Sequence, residues 1–290
     1  MDLQLDQLRA LNAAITEGTF EAAARRLLVT PSAISQRIKA LEDAAGRILL
    51  QRTKPVRATE SGLAVLRLAR QIELLQGDTA RELGDAHQPT DRPIRMPLAI
   101  NADSLQTWVM PALAAAAKGI CFEIHREDEE HTTRLLRDGT VMAAITATAA
   151  PVQGCKVEKL GAMRYSPMAS PEFVRTWFRD GPTVKAYAVA PMVLFDRNDD
   201  LQHRHLRRRT RQPIDPPRHY VPSSEGFADA VRLGLGWGMI PEAMRGDARL
   251  TLVEDTFIEV PLYWQQWRLD SPALVAVAAA IAAAAAESLR

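Results

Sequence analysis

The stretch FEAAARRLLVTPSAISQRIKALE, residues 20–42, decides the fold of the N-terminal part of the chain. Its apolar residues recur every three or four positions, which predicts one helix over 20–28 and a second helix that starts after Thr30. Thr is a preferred residue immediately before a helix, and Pro31 suits the first helical position. Two short helices joined by a tight turn predict a helix-turn-helix unit.

The segments on either side extend this unit. Residues 3–18 are predicted to form a preceding helix, and the basic, proline-containing stretch 51–57 a small β-wing. Thr59 then caps a long helix predicted over 60–86. Four residues of that helix take the a and d positions of a heptad, which predicts a dimerisation seam: Val65, Leu68, Ile72 and Leu75. An amphipathic helix packed inside one chain is the alternative.

The charge distribution indicates a local nucleic-acid surface. The 290 residues sum to a net charge of +1, yet residues 20–59 alone carry +5, and residues 91–290 sum to zero. The second helix of a helix-turn-helix enters the major groove of double-stranded DNA, and wing residues contact the backbone or the minor groove. The candidate DNA-binding residues are therefore Thr30, Pro31, Ser32, Ser35, Gln36, Arg37, Lys39, Arg52, Lys54 and Arg57.

Beyond a polar linker at 87–93 the pattern changes to strands that alternate with helices, which predicts a parallel α/β sheet. Strands are predicted at 94–101, 120–126, 141–146, 191–196, 219–221, 238–240 and 262–267, with helices at 104–118, 131–138, 201–210, 224–235 and 272–288.

Several functional classes are disfavoured. Cys121 and Cys155 are too few for a disulfide framework, and no Cys/His spacing suggests zinc, so we expect no metal and no cofactor. No nucleophile elbow or phosphate loop is present, which argues against an enzyme. The absence of a signal peptide and of a long apolar stretch predicts no membrane association and a cytoplasmic, nucleoid-associated protein in a bacterium.

Residues 20–42, followed by LLQR (49–52) and TESG (59–62), closely resemble the N-terminal domain of LysR-type transcriptional regulators. The wing RTKPVRAT (52–59) is one residue shorter than the family's commonest form. This shortening is similar to the LysG/ArgP branch, whose members sense basic amino acids and control their export. Five later segments resemble that branch in the same order: 101–108, 127–129, 195–200, 223–225 and 262–264.

The resemblance implies a winged helix-turn-helix domain at 1–59 and a linker or dimerisation helix at 60–88. It further implies an α/β effector domain of the periplasmic-binding-protein type. Its subdomain I takes 93–165 and 268–290, and its subdomain II takes 166–267, with chain crossings near 163–166 and 263–268. The family's usual assembly implies a homodimer or homotetramer on double-stranded DNA, with RNA polymerase as a further candidate partner.

The chemistry of a basic amino acid suggests which residues hold it in the cleft. Its carboxylate needs free backbone N–H groups at a helix start, its cations need carboxylates, and aromatic rings can cover its aliphatic stem. The candidate effector-binding residues are Asp103, Ser104, Trp108, Glu127, Asp128, Glu129, Thr146, Asp196, Asp199, Asp200, Ser223, Glu225 and Trp264. Solvated acids, a simple helix cap and core tryptophans are the corresponding structural alternatives.

We therefore expect a DNA-binding transcription regulator that senses lysine or arginine and controls genes such as a basic-amino-acid exporter. Three alternatives stay open: an architectural DNA-binding protein without a ligand, a LysR-type regulator with another effector, and an enzyme or transport-type binding protein fused to a helix-turn-helix. The basic run His203–Arg211 is predicted to be a solvated helix face, a subunit contact or a DNA contact.

Overall fold

The computed structural model describes residues 2–83, 93–126 and 129–290. No described helix is both long enough and apolar enough to cross a membrane. The N-terminal elements are α1 (Leu5–Glu17), α2 (Phe20–Leu27), α3 (Pro31–Ala45), β1 (Leu50–Gln51), β2 (Arg57–Ala58) and α4 (Glu60–Glu82). This order confirms the predicted helix-turn-helix, wing and long helix. The polar linker predicted at 87–93 lies outside the described residues except for its last one.

Local capping explains where these helices begin. The Thr19, Thr30 and Thr59 hydroxyls each accept a hydrogen bond from the backbone N–H three residues further on, at 3.0–3.1 Å. Each bond satisfies one of the N–H groups that a helix start leaves without a partner. The apolar stripes of α1, α2 and α3 then meet in one core, which includes Leu11, Ile34 and Leu41.

The C-terminal part combines helices with a long curled sheet. Its helices are α5 (Ala102–Ser104), α6 (Met110–Ala116), α7 (Glu129–Arg137), α8 (Pro171–Trp177), α9 (Val184–Val189), α10 (Leu201–Arg209), α11 (Ser224–Arg232) and α12 (Pro272–Ser288). A π-helical turn, Leu105–Val109, joins α5 to α6. The strands are β3 (Ile94–Ala99), β4 (Ile120–His125), β5 (Ala143–Thr146), β6 (Cys155–Ala169), β7 (Met192–Leu194), β8 (Arg218–Tyr220), β9 (Gly238–Pro241), β10 (Thr251–Leu252) and β11 (Ile258–Trp267).

The main sheet has the order β10-β6-β11-β5-β3-β4, with β9 also paired to β6. Strands β3, β4 and β5 are parallel, as predicted, but β6 and β11 are antiparallel to each other along almost their whole lengths. The predicted parallel α/β sheet thus also contains antiparallel strands, and β6 was not predicted. Its sequence does not alternate cleanly, because charged residues, Gly161 and Pro167 interrupt the pattern.

Helix α4 packs against α1, and two residues of the predicted dimerisation seam contribute to the core of their own chain. Val65 is 8% exposed and belongs to the N-terminal core, and Ile72 packs against the same core. Inside one chain, α1 supplies the apolar surface that was predicted to come from a second copy. Leu75 is half-buried, and Leu68, at 38% exposure, is the most accessible residue of the four.

The same helix is fixed to the C-terminal part by polar contacts. Arg67 Nη1 donates to the Arg137 carbonyl (3.0 Å), and Arg70 Nη1 donates to the Gly139 carbonyl (2.8 Å). Further along α4, the Asp78 carboxylate accepts a hydrogen bond from the Ser271 hydroxyl. Gly139 has a φ of +68°, and a Cβ there would lie 2.6 Å from the Arg67 Cα. Only glycine therefore allows this close approach.

Replacing Gly139 with alanine should separate α4 from this turn. Gly119, with a φ of +72° and no heavy atom within 4 Å of the place where a Cβ would lie, is the matched control. We expect G119A to lower the free energy of unfolding by about 1–2 kcal/mol through its backbone conformation alone. We expect G139A to lower the free energy of unfolding by about 1–3 kcal/mol more than G119A does, because of the clash with Arg67. Thermal denaturation measures both, and equal losses would contradict the close contact.

Candidate functional site

The exposed face of α3 and the wing form the candidate nucleic-acid interface. Pro31, Ser32, Gln36 and Lys39 are exposed on α3, and Arg52, Lys54 and Arg57 are exposed on the wing. Ser35 is half-buried. Two of the predicted residues have structural roles: Thr30 caps α3, and Arg37 forms an ion pair with Asp6 at 3.1 Å.

A cavity of about 410 Å³ lies between the two halves of the C-terminal part. It is bounded by the start of the α5 helix, the end of β4, Tyr165 of β6, the loop 195–201, the start of α11 and β9. The predicted residues that line it are Asp103, Asp196 and Asp199. An adjoining cavity of about 730 Å³ shares Ala102, Gln106, Arg126 and Ser224 with it and contains Ser223 and Glu225.

Asp103 sits in the first turn of the α5 helix, although it was predicted to precede that helix. Its Oδ2 accepts a 2.8 Å hydrogen bond from the Tyr165 hydroxyl. Burial raises the pKa of Asp103 above its ordinary value; the Tyr165 hydrogen bond opposes this shift, and the negative charge of Asp199 adds to it. The pocket therefore holds a half-buried carboxylate that a cation would stabilise in its charged form.

Asp196 and Asp199 differ in how much of each carboxylate is engaged. Asp196 Oδ1 accepts backbone N–H groups from Asn198 (2.7 Å) and Asp199 (3.1 Å). Asp199 uses both oxygens, since Oδ2 accepts from the Phe195 N–H (2.9 Å) and Oδ1 from the Leu201 N–H (3.2 Å). Asp199 therefore organises the loop, whereas Asp196 keeps one oxygen that accepts no bond from the described residues.

Groups that suit an anion, unlike the acids described above, lie at two helix starts on the pocket wall. The Asn101 Oδ1 and the Ser224 Oγ are buried and find no hydrogen-bond partner among the described residues. Asn101 precedes α5, and Ser224 is the first residue of α11. The backbone N–H groups of a first helical turn point outward and attract anions. Arg126, exposed at the end of β4, adds a positive charge to the same cavity.

Other predicted effector residues do not line either cavity. Trp108 and Trp264 are 5% and 1% exposed and lie in the core, and Thr146 and Ser104 are buried as well. The helix begins at Ala102, so Ser104 falls on its inner face, and Trp108 follows one turn later on that same face. These predictions are corrected.

The remaining acids have different positions. Asp200 is exposed and pairs with Arg207 at 2.6 Å on the protein surface, outside both cavities, which corrects its assignment. Glu127 and Asp128 lie outside the described residues. Glu129 begins α7.

Tyr165, Arg126 and Gln106 all line the pocket, although none of them was predicted from the sequence. Tyr165 lies on β6, the strand that the pattern did not reveal. Ser224 belongs to the segment 223–225, which resembles the family, but the predicted effector residues in that segment were Ser223 and Glu225. That segment was the one signal in the sequence that pointed to it.

The basic run His203–Arg211 is explained by contacts inside the chain. His205 is buried with its Nε2 2.7 Å from Glu254 Oε1, and Arg209 also binds the Glu254 carboxylate. Arg208 Nη1 donates to the Phe257 carbonyl at 2.9 Å. These contacts fix α10 to the segment before β11. Within the described part of the chain, no cluster of three metal-ligating side chains occurs.

Comparisons with known proteins match both the N-terminal and the C-terminal part of the chain to family models. A family model described as "Bacterial regulatory helix-turn-helix protein, lysR family" matches residues 5–63, and one described as "LysR substrate binding domain" matches residues 97–286. The lysine export transcriptional regulatory protein LysG of Corynebacterium glutamicum is 42% identical, with 99% of each chain covered.

Two solved structures are similar over the whole length. The crystal structure of ArgP from Mycobacterium tuberculosis has a TM-score of 0.86 and 44% identity, and covers 98% of each chain. Full-length LysG from Corynebacterium glutamicum with bound effector Arg has a TM-score of 0.77 and 40% identity, and covers 99% of each chain.

The raised pKa of Asp103 predicts how stability depends on pH in the ligand-free protein. Folding makes this carboxyl hold its proton more tightly, so the folded state gains stability as pH falls through the raised pKa towards the unfolded value of about 3.9. The side-chain amide of the D103N variant is neutral throughout. We expect D103N to melt above wild type at pH 8, with the gap narrowing towards pH 4.

The matched control is D180N, at an exposed aspartate outside the pocket. Its melting temperature should follow that of wild type across the same pH range. A difference between D103N and wild type that does not change with pH would contradict the buried-carboxylate interpretation.

Proposed function

The chain belongs to the LysR family of bacterial helix-turn-helix regulators, and we propose that it is a transcription regulator that binds lysine or arginine in the pocket between its two effector subdomains. The observation that carries this proposal is the pair of pocket carboxylates, Asp103 and Asp196, each held by hydrogen bonds through one oxygen. The similarity to LysG with bound Arg supports the same ligand class.

The cationic groups of the effector bind the second oxygens of these two carboxylates. Each is oriented before binding, Asp103 by the Tyr165 hydroxyl and Asp196 by two backbone N–H groups. A charge-assisted hydrogen bond of this kind contributes about 1.5–3 kcal/mol. Asp199 contributes through the loop shape and through its charge rather than through direct contact.

The carboxylate of the effector binds at the helix starts. The N–H groups in the first turn of the α5 helix, the Ser224 hydroxyl and Arg126 supply the donors. An arrangement with cation-binding groups and anion-binding groups in one cavity selects a zwitterion with an additional positive charge. Glutamate is repelled by the same acids.

The N-terminal half binds double-stranded DNA as a homodimer. We assign residues 1–59 to the winged domain, 60–88 to the linker helix, 93–165 with 268–290 to subdomain I, and 166–267 to subdomain II. The exposed residues Ser32, Gln36 and Lys39 of α3 contact the DNA bases, and the wing contacts the phosphates. The regulator acts without catalysis in the cytoplasm, where RNA polymerase is its further partner and the homotetramer its larger assembly.

Calorimetric titration tests the effector class. We expect saturable binding of arginine or lysine and no binding of citrulline, which matches arginine in shape but carries no side-chain charge, or of glutamate. D196N should weaken binding by about tenfold or more, because it replaces a charge-assisted contact with a neutral one. D200N, at the surface aspartate, is the control that should leave the affinity unchanged. Binding of citrulline as tight as that of arginine would contradict the role of the carboxylates.

The DNA interface is tested on a duplex selected from a random library by the wild-type chain. We expect Q36A to reduce discrimination between this duplex and random DNA by about 1–3 kcal/mol, since a base contact is lost. We expect R52A to weaken binding to the selected duplex and to random DNA equally. It should also reduce the slope of the logarithm of the binding constant against the logarithm of the salt concentration by about one, the value for one phosphate contact. E172Q, at an exposed residue of α8, is the control. No preference for any sequence would favour an architectural DNA-binding protein.

A further inference from the structure

Tyr165 occupies a special position on the long strand β6. It is the last residue of subdomain I (93–165), and it is opposite Pro241 of β9 on one side and Ile258 of β11 on the other, both of which belong to subdomain II (166–267). Its partner Asp103 stands on the first helix of subdomain I. The register between β6 and β11 shifts between Leu262 and Tyr263 of β11, which lie opposite a part of β6 that is N-terminal to Tyr165. The Tyr165–Asp103 hydrogen bond therefore connects the first helix of subdomain I to the strand residue that pairs with two strands of subdomain II.

We propose that Tyr165 is the positioning residue that orients the Asp103 carboxylate for the effector cation and thereby ties the bound effector to subdomain II. This inference rests on the proposed function. The phenol ring packs in the core and is 4% exposed, while the hydroxyl reaches the pocket and donates to Oδ2 of Asp103. The other oxygen, Oδ1, accepts no hydrogen bond from the described residues, and Asp103 lines the cavity.

The charged groups around this bond explain why a donor is needed there. Asp196 and Asp199 of the loop 195–201 line the same cavity as Asp103, as does Arg126 at the end of β4. Burial and the negative charge of Asp199 favour the protonated form of Asp103, and a protonated carboxyl does not attract a cation. The Tyr165 hydroxyl favours the ionised form by donating to it. Tyr165 therefore extends to lower pH the range in which Asp103 stays ionised and accepts the effector cation.

The test compares two phenylalanine variants that each remove one buried hydroxyl. Y165F removes the donor to Asp103. Y187F is the matched control, because the Tyr187 hydroxyl also donates to a carboxylate, Glu254, but lies in subdomain II away from the pocket (3.1 Å). Arginine affinity is measured by calorimetry from pH 5 to pH 8 for wild type, both variants, D103N and the double variant D103N/Y165F.

We expect Y165F to bind arginine about tenfold more weakly at pH 7, consistent with the loss of a hydrogen bond to a charged group. We also expect the pH at which its affinity falls to move upward, because Asp103 without this donor keeps its proton to higher pH. Y187F should follow wild type in both respects. The double variant should bind no more weakly than D103N, because the hydroxyl acts through Asp103.

The failures are distinguishable. If D103N binds arginine as tightly as wild type, the proposed pocket is wrong. If D103N is weakened while Y165F keeps the wild-type affinity and pH profile, the role of Tyr165 is overturned. Should Y165F not fold, 3-fluorotyrosine incorporated site-specifically at position 165 tests the same bond. Its more acidic phenol donates more strongly, so the profile should move to lower pH, and an unmoved profile would overturn the proposal.

Discussion

The antiparallel pairing of β6 with β11 is the constraint on which the rest of the effector domain depends. From Cys155 opposite Trp267 to Tyr165 opposite Ile258, these two strands run side by side from one subdomain into the other. Strand β11 also pairs with β5, and β6 also pairs with β9 and β10. This strand pair connects the two subdomains, and the pocket lies beside it. A residue of β6 can therefore contact the first helix of subdomain I.

Helix α4 connects this arrangement to the DNA-binding half. Arg67 contacts the turn after α7 and lies with its guanidinium carbon 5.0 Å from the ring centre of Trp267, the last residue of β11. Arg70 donates both to that turn, at Gly139, and to the Asn12 side chain of α1 (3.2 Å). One arginine thus joins the effector domain, the linker helix and the winged domain. These contacts connect β11 to α1 within one chain.

How far the sequence predicted the molecule depends on how local each signal was. The helix-turn-helix was predictable because Thr19, Thr30, Pro31 and the apolar spacing act within a few residues. Asp103, Asp196 and Asp199, which line the cavity, were among the candidates because a cationic ligand requires carboxylates. Trp108 and Trp264 were misassigned, since an aromatic ring suits a core as well as a ligand. Tyr165 could not be found, because its role depends on a long-range strand pairing that leaves no periodic pattern.

A crystal structure of the chain with bound L-arginine tests the central claim most directly. We expect the two positively charged groups of the ligand to contact Asp103 Oδ1 and Asp196, its carboxylate to lie at the start of the α5 helix near Ser224, and the Tyr165–Asp103 hydrogen bond to persist. Arginine bound elsewhere, or bound in this cavity without contact to either carboxylate, would contradict the assignment of the pocket as a sensor of basic amino acids.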